Sequence, residues 1–177
     1  MRMAICLLAL GLCLAPAARA ADDMIDPASY ICAELIAASL DGQPPIYEGL
    51  QLDGYYSAKK GLADADASIL APMLIEVSDS CASQPADKAL AHWEKARANY
   101  PVEAGGVWNA KNYTCADYAD NPDDGSGFVI WLDAYNRGKN SGNASVLSSQ
   151  EAIDNFVEAC KANPKKLMLD VIKEMAK

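Results

Sequence analysis

Three short landmarks occur twice in this chain, in the same order. Tyr30-Ile31-Cys32-Ala33-Glu34-Leu35 returns as Tyr113-Thr114-Cys115-Ala116-Asp117-Tyr118. Leu52-Asp53-Gly54-Tyr55 returns as Leu132-Asp133-Ala134-Tyr135, and Cys81-Ala82-Ser83-Gln84-Pro85 as Cys160-Lys161-Ala162-Asn163-Pro164. The spacing between copies shrinks only slightly, from 83 residues to 80 and then 79, the differences between position pairs 30 and 113, 52 and 132, 81 and 160. A duplicated unit constrains the fold strongly, because whatever folds one copy must also fold the other. Each copy carries two cysteines, so the repeat bears on the disulfide map as well.

The first 20 residues read as a signal peptide. Arg2 supplies a positive start, Met3 to Pro16 is apolar, and Ala18-Arg19-Ala20 has the small-x-small pattern of a cleavage site. Cleavage after Ala20 would export the chain and remove Cys6 and Cys13. A weaker lipoprotein-like box at Leu10 to Cys13 leaves lipidation of Cys13 open. Four cysteines remain, Cys32, Cys81, Cys115 and Cys160, and an even count in an exported chain points to disulfides. Four cysteines allow three pairings. The repeat favours Cys32–Cys81 with Cys115–Cys160, since each copy then closes on itself; a cross-repeat pairing stays open. Loops of roughly 50 residues closed in this way stabilise a fold by about 4 kcal/mol each. That matters for units of roughly 75 residues, where a core alone is marginal.

Both copies read as helical. In the first, Asp26 and Pro27 can open a helix with Ile31, Leu35 and Ile36 at helical spacing. A second helix is expected over Leu50 to Lys60, closed by Gly61. Ser68 to Cys81 sets Ile69, Leu70, Met73, Leu74 and Val77 on one face. A fourth helix, Pro85 to Tyr100, places Leu90 and Trp93 inward and Lys88, Glu94, Lys95 and Arg97 outward. In the second copy, Thr114 caps a short helix over Cys115 to Ala119, and Asn121 to Gly127 reads as an acidic loop. Phe128 to Arg137 is a helix, and Arg137 to Ser145 a polar stretch. Ser148 to Glu151 reads as a capping box for a helix carrying Ile153, Phe156, Val157 and Cys160. Pro164 to Met175 closes the chain. No alternating pattern is long enough for a sheet. The expected fold is all-α, two tandem small helical domains of about four short helices and one disulfide each. The boundaries are 1–20 signal peptide, 21–101 first repeat, 102–107 linker and 108–177 second repeat.

The chain offers no constellation for catalysis. His92 is the sole histidine and reads as a surface or boundary residue, so no nucleophile–histidine–acid triad is available. The carboxylate pairs Asp123-Asp124 and Asp64 with Asp66 read as solvated loop acids, without the alternating oxygen ligands of a calcium loop. No phosphate or dinucleotide motif occurs, so no cofactor and no metal is expected. Once Arg2 and Arg19 are removed, 13 basic residues face 24 acidic ones, a net charge of −11. The first copy, to Glu103, has 5 basic and 14 acidic residues; the second has 8 and 10. This balance disfavours nucleic acid and anionic membranes as partners.

The run Tyr113 to Tyr118, then Phe128-Val129-Ile130-Trp131-Leu132-Asp133-Ala134-Tyr135, then Glu158-Ala159-Cys160-Lys161-Ala162-Asn163-Pro164, resembles the HdeA/HdeB family of periplasmic acid-stress chaperones. The first copy carries the same landmarks, and together they span nearly all of the mature chain. Two features depart from the family pattern: the units stand in tandem, and Gln51 stands where the second copy has Trp131. The resemblance implies a periplasmic holdase that works without ATP. Such a protein is folded and inactive near neutral pH; in acid it loosens, exposes apolar surface and holds acid-denatured periplasmic proteins in solution. The candidate client-binding residues are Ile69, Leu70, Met73, Leu74, Phe128, Val129, Ile130, Trp131 and Leu132. The two repeats are expected to pack on each other in place of a homodimer. A dedicated protein-binding module, such as a toxin-immunity protein, is the alternative on the same scaffold. The residues permit an acid switch on their own account, because neutralising the carboxylates would carry the mature chain from about −11 to about +15.

Overall fold

The computed structural model describes residues 24–39, 43–102, 108–120, 122–140 and 144–177, with backbone alone at 122–124. The signal peptide, its cleavage site, Cys6 and Cys13 lie outside these residues, as does most of the linker. The fold is all-α, with eight helices among the described residues. The first half holds α1 (Cys32–Ala38), α2 (Ile46–Lys60), α3 (Leu70–Ala82) and α4 (Ala89–Arg97). The second holds α5 (Cys115–Asp120), α6 (Pro122–Lys139), α7 (Gln150–Ala162) and α8 (Met168–Met175). A two-residue antiparallel ladder, β1 (Asp64–Ala65) with β2 (Trp108–Asn109), ties the halves together. No helix among the described residues is long and apolar enough to cross a membrane.

The disulfides are Cys32–Cys81 and Cys115–Cys160, one within each half. Around each, the backbone repeats the same three hydrogen bonds. The first N–H groups of a helix have no intrahelical acceptor. Here the turn after the second cysteine supplies them. Cys32 N and Ala33 N donate to Asp87 O and Pro85 O, at 2.8 and 2.9 Å. Cys115 N and Ala116 N donate to Lys166 O and Pro164 O, at 2.9 and 2.8 Å. The third bond is Ala89 N to Tyr30 O in one half and Met168 N to Tyr113 O in the other. Two of the three sequence landmarks are thus the two sides of one knot: a helix start, and the turn that receives it.

The third landmark lies on the seam. Helices α2 and α6 make the largest contact between elements, running in the same direction. Gly54 and Ala58 of α2 face Ala134 and Gly138 of α6, so small residues four apart on each helix let the backbones meet. A Cβ on Gly54 would fall 2.2 Å from the Trp131 carbonyl oxygen, and one on Gly138 2.7 Å from the Tyr55 carbonyl oxygen. The buried core is continuous across the seam. On the α6 side Phe128, Trp131 and Tyr135 stack along one face, with ring centroids 5.8 and 5.1 Å apart.

Several helix boundaries differ from those expected. Asp26 caps only a single turn, accepting from Ala28 N and Ser29 Oγ, and α1 begins later, at Cys32. Ile36 is exposed rather than inward. Helix α2 starts four residues earlier, behind Pro45, and ends as expected at Gly61, whose φ of 74° suits a residue without Cβ. Residues 85–88 are not helical, because their carbonyls serve α1. Of the stretch expected as a loop, Asn121 lies outside the described residues and 122–127 is helical: α6 begins at Pro122, and Gly125 is small because the Tyr118 ring occupies the space a Cβ would need. Thr114 does cap α5, with Asp117 reciprocating to Thr114 N at 2.7 Å. At α7 the cap is Ser149, not Ser148, and it binds Ala152 N without a returning acid.

The seam yields a signed prediction. Alanine normally stabilises a helix interior by about 1 kcal/mol over glycine. At Gly54 the carbonyl contact reverses that sign, and overpacking costs about 1–3 kcal/mol. Gly54→Ala is therefore expected to lower the urea midpoint.

Candidate functional site

Leu-Asp-x-Tyr puts an acid on the inward face of an apolar helix, and in the first half that acid is the centre of the structure. Asp53 is 1% exposed. Its Oδ1 accepts from Arg97 Nε at 2.9 Å and from Trp93 Nε1 at 3.3 Å, both on α4. Its Oδ2 accepts from Trp131 Nε1 of α6, across the seam, at 2.9 Å. Arg97 also donates to the Tyr100 carbonyl. A buried charge is tolerable only when paired and hydrogen-bonded, and these donors meet both conditions. Arg97, expected outside, is thus buried, because Asp53 holds it.

The second copy of the landmark has a different environment. Asp133 is fully buried; its Oδ1 accepts from Val146 N at 2.9 Å, and its Oδ2 has no hydrogen-bond partner. Burial pushes the Asp133 carboxyl above its usual value, with Val146, Ser145 and Arg137 opposing it. The repeat explains the difference. Trp131 sits where the first copy has Gln51, and the position matching Arg97 is Ala176, just beyond α8. Gln51 has a different task. Its Oε1 accepts from Ile25 N at 2.8 Å, and Arg137 donates to the Ile25 carbonyl at 2.7 Å. Arg137 also approaches Asp26 at 3.6 Å, and Lys88 donates to Ser29 O at 2.7 Å. Residues 24–30 form a strap fastened to both halves. Hydrogen bonding from Ser29 is the main cause holding the Asp26 carboxyl below its usual value, against burial; Ala28, Arg137 and Lys88 add to it.

Beside the strap lies a cavity of about 360 Å³ between α2, α6 and α7. Met24 of the strap, Val129 and Ile130 of α6, and Phe156 and Ile153 of α7 supply apolar wall; Gln51, Ser148 and Ser149 supply polar atoms. Tyr47, also lining it, is 62% exposed. Two of the nine expected client-binding residues, Val129 and Ile130, therefore line this cavity. Leu70, Met73, Leu74, Phe128, Trp131 and Leu132 are buried in the common core, and Ile69 is partly buried against it.

His92, expected at the surface, is 3% exposed, with Nδ1 2.9 Å from Ser80 Oγ. Asp64 accepts from Asn109 Nδ2 at 2.6 Å and Asp66 caps the 3-10 turn at Ala67–Ile69, so both have structural partners. The side chains of Asp123 and Asp124 lie outside the described residues. The expected site omitted Asp53, Trp93 and Arg97. A carboxylate recurring on an apolar helix face was the available signal.

Residues 89–170 match the HdeA/HdeB family. This part of the chain is HdeA-like. The match begins at α4, takes in the whole of α5, α6 and α7, and ends within α8; it does not reach residues 24–88. The family is one of periplasmic proteins. No curated protein and no solved structure matches the chain significantly.

Asp53→Ala leaves Arg97 buried and unpaired. It is expected to cost about 3–5 kcal/mol, read as a lowered denaturation midpoint at pH 7. Trp131→Phe keeps the stacking but removes one donor, and about 1–3 kcal/mol is expected.

For Asp133 the sign is opposite to that of a paired acid. Its folded pKa is raised, so the ionised form costs stability near neutral pH, and protonation relieves that cost as pH falls through the raised value. Asp133→Asn should therefore raise the melting temperature at pH 7, with the gain vanishing near pH 3.

Proposed function

We propose that this chain is a periplasmic, ATP-independent holdase that acid opens. On this reading it is two HdeA-like units in tandem, residues 21–101 and 108–177 joined by 102–107, exported with cleavage after Ala20. The packed halves take the place of a homodimer. The observation that carries the reading is the burial of most of the expected client-binding residues in the shared core, with Trp131 held across the seam by the buried carboxylate of Asp53. The family match over residues 89–170 supports it independently, as do the two matching disulfides and their shared hydrogen-bond knot.

Acid acts on these contacts with a definite sign. Asp26, and Asp117 through its bonds to Thr114, have folded pKa values below the usual carboxylate value. Their stabilisation is present above the unfolded pKa and is lost as pH falls through the folded one, below about 3.8. That weakens the strap and the start of α5. Loss of the Asp53 contacts with Arg97 and Trp131 as the halves loosen would open the seam to Phe128, Trp131 and Leu132. The disulfides limit how far each half can expand, and the positive charge gained in acid keeps a client complex dispersed.

Light scattering from an acid-labile enzyme brought to pH 2–3 tests the function. The protein should suppress scattering in proportion to its amount, and equal aggregation with and without it would overturn the reading. Arg137→Met removes the strap's bond at the Ile25 carbonyl and its approach to Asp26, along with one charge acting on Asp133. It should shift the onset of protection to higher pH, whereas an unchanged onset would exclude the strap as part of the switch.

A further inference from the structure

The cavity beside the strap has a chemistry that holding client proteins does not require. Its volume of about 360 Å³ lies within the range of small-molecule sites. The wall is partly aromatic: Tyr118 meets Phe156 edge to face at 5.9 Å, and Tyr47 stands exposed at the mouth. Val129, Ile130 and Ile153 add aliphatic surface. The polar residues of the lining, such as Gln51 and Ser149, are uncharged.

Charge around the cavity has one sign. No lysine, arginine or histidine lies within three residues of any lining residue in sequence. Glu48 follows Tyr47, Asp120 lies just beyond Tyr118, and Glu151 and Asp154 flank Ile153. Asp120, Glu151 and Asp154 are exposed. Folding brings two cations near, and both are engaged. Arg137 is held on the strap by the Ile25 carbonyl and Asp26, and Lys161 pairs with Glu158 at 2.7 Å. Helices α2 and α7 also bring their N-termini here, each worth about half a positive charge. Each of these first turns carries a whole negative charge, Glu48 or Glu151, and Ser149 caps α7 as well. The acids therefore outweigh the dipoles.

We propose that the folded protein binds a small organic cation with an apolar body, an alkyl- or aryl-ammonium, in this cavity near neutral pH. The body packs on Val129, Ile130 and Phe156. The head meets the Tyr47 and Tyr118 rings, whose π-systems attract a cation, inside the field of the surrounding acids. The site belongs to the closed form, so its test at pH 7 does not depend on the holdase reading.

Three probes of similar shape are titrated into the full mature chain: benzyltrimethylammonium, its uncharged carbon isostere neopentylbenzene, and phenylmethanesulfonate. The methyl resonances of Val129, Ile130 and Ile153 report binding. The cation should shift all three and bind about fivefold or more tighter than the isostere, with the sulfonate weakest. Tyr47→Ala should weaken the cation about fivefold and the isostere less. Glu151→Gln/Asp154→Asn should remove most of the preference for the cation; Asn keeps the acceptor that Gln150 uses at position 154. Both variants change exposed residues, so they test the ligand and not the fold. Equal binding of cation and isostere, tighter binding of the sulfonate, or absence of shifts at these methyls would each overturn the proposal. So would a double variant that keeps the parent's preference.

Discussion

One buried carboxylate joins three helices from both halves. Asp53 draws Trp93 and Arg97 from α4 and Trp131 from α6 onto two oxygens. Removing a carboxylate from water costs several kcal/mol, recovered only when geometry and hydrogen bonds are good. The arrangement is therefore conditional. With all donors present it fixes how α2, α4 and α6 sit; with one missing, the residual charge is a liability. Packing alone tolerates gradual loosening, but a buried ionic hub does not. The small-residue seam depends on the same register, because Gly54, next to Asp53, must face the Trp131 carbonyl while the Trp131 side chain reaches Asp53.

The hub also shows how differently two like landmarks can be used. Both halves hold Leu-Asp-x-Tyr, and both acids are buried. Yet the halves meet along these very segments, so the two positions preceding the acids compete for space near one seam. Trp131 crosses it and completes Asp53. Gln51, its counterpart, fastens the strap through Ile25. Asp133 is left with a backbone donor and an orphan oxygen, and its pKa rises. A symmetric pair of identical units would set both acids in one environment.

The helix count, the disulfide pairing and the inward face of α3 were legible in the sequence, because periodicity and repeated cysteines are local signals; so was that of α7 except for Ile153, expected inward but exposed at the mouth of the cavity. The boundaries that went astray share one cause. Residues 85–88 look like a helix start, but their carbonyls satisfy α1; residues 122–127 look like a loop, but Gly125 yields to the Tyr118 ring. In both, a partner distant in sequence decides, and composition does not record it. Arg97 and His92 were placed outside for a similar reason. Polar residues on a short helix usually face water, and only the positions of Asp53 and Ser80 reverse that expectation.

The two kinds of buried and half-buried acid divide the response to pH. Asp26 and Asp117 lose stabilising bonds on protonation, whereas Asp133 loses a burden. The two groups thus respond to protonation with opposite sign. On the acid-opened reading proposed above, loosening would begin at the strap and the α5 cap, while the surroundings of Asp133 gain stability over the same range. A chain whose acids all had depressed pKa values would have no such counterweight. Each disulfide would keep its half compact. The opposed signs of Asp26 and Asp133 are what would separate loosening from complete unfolding.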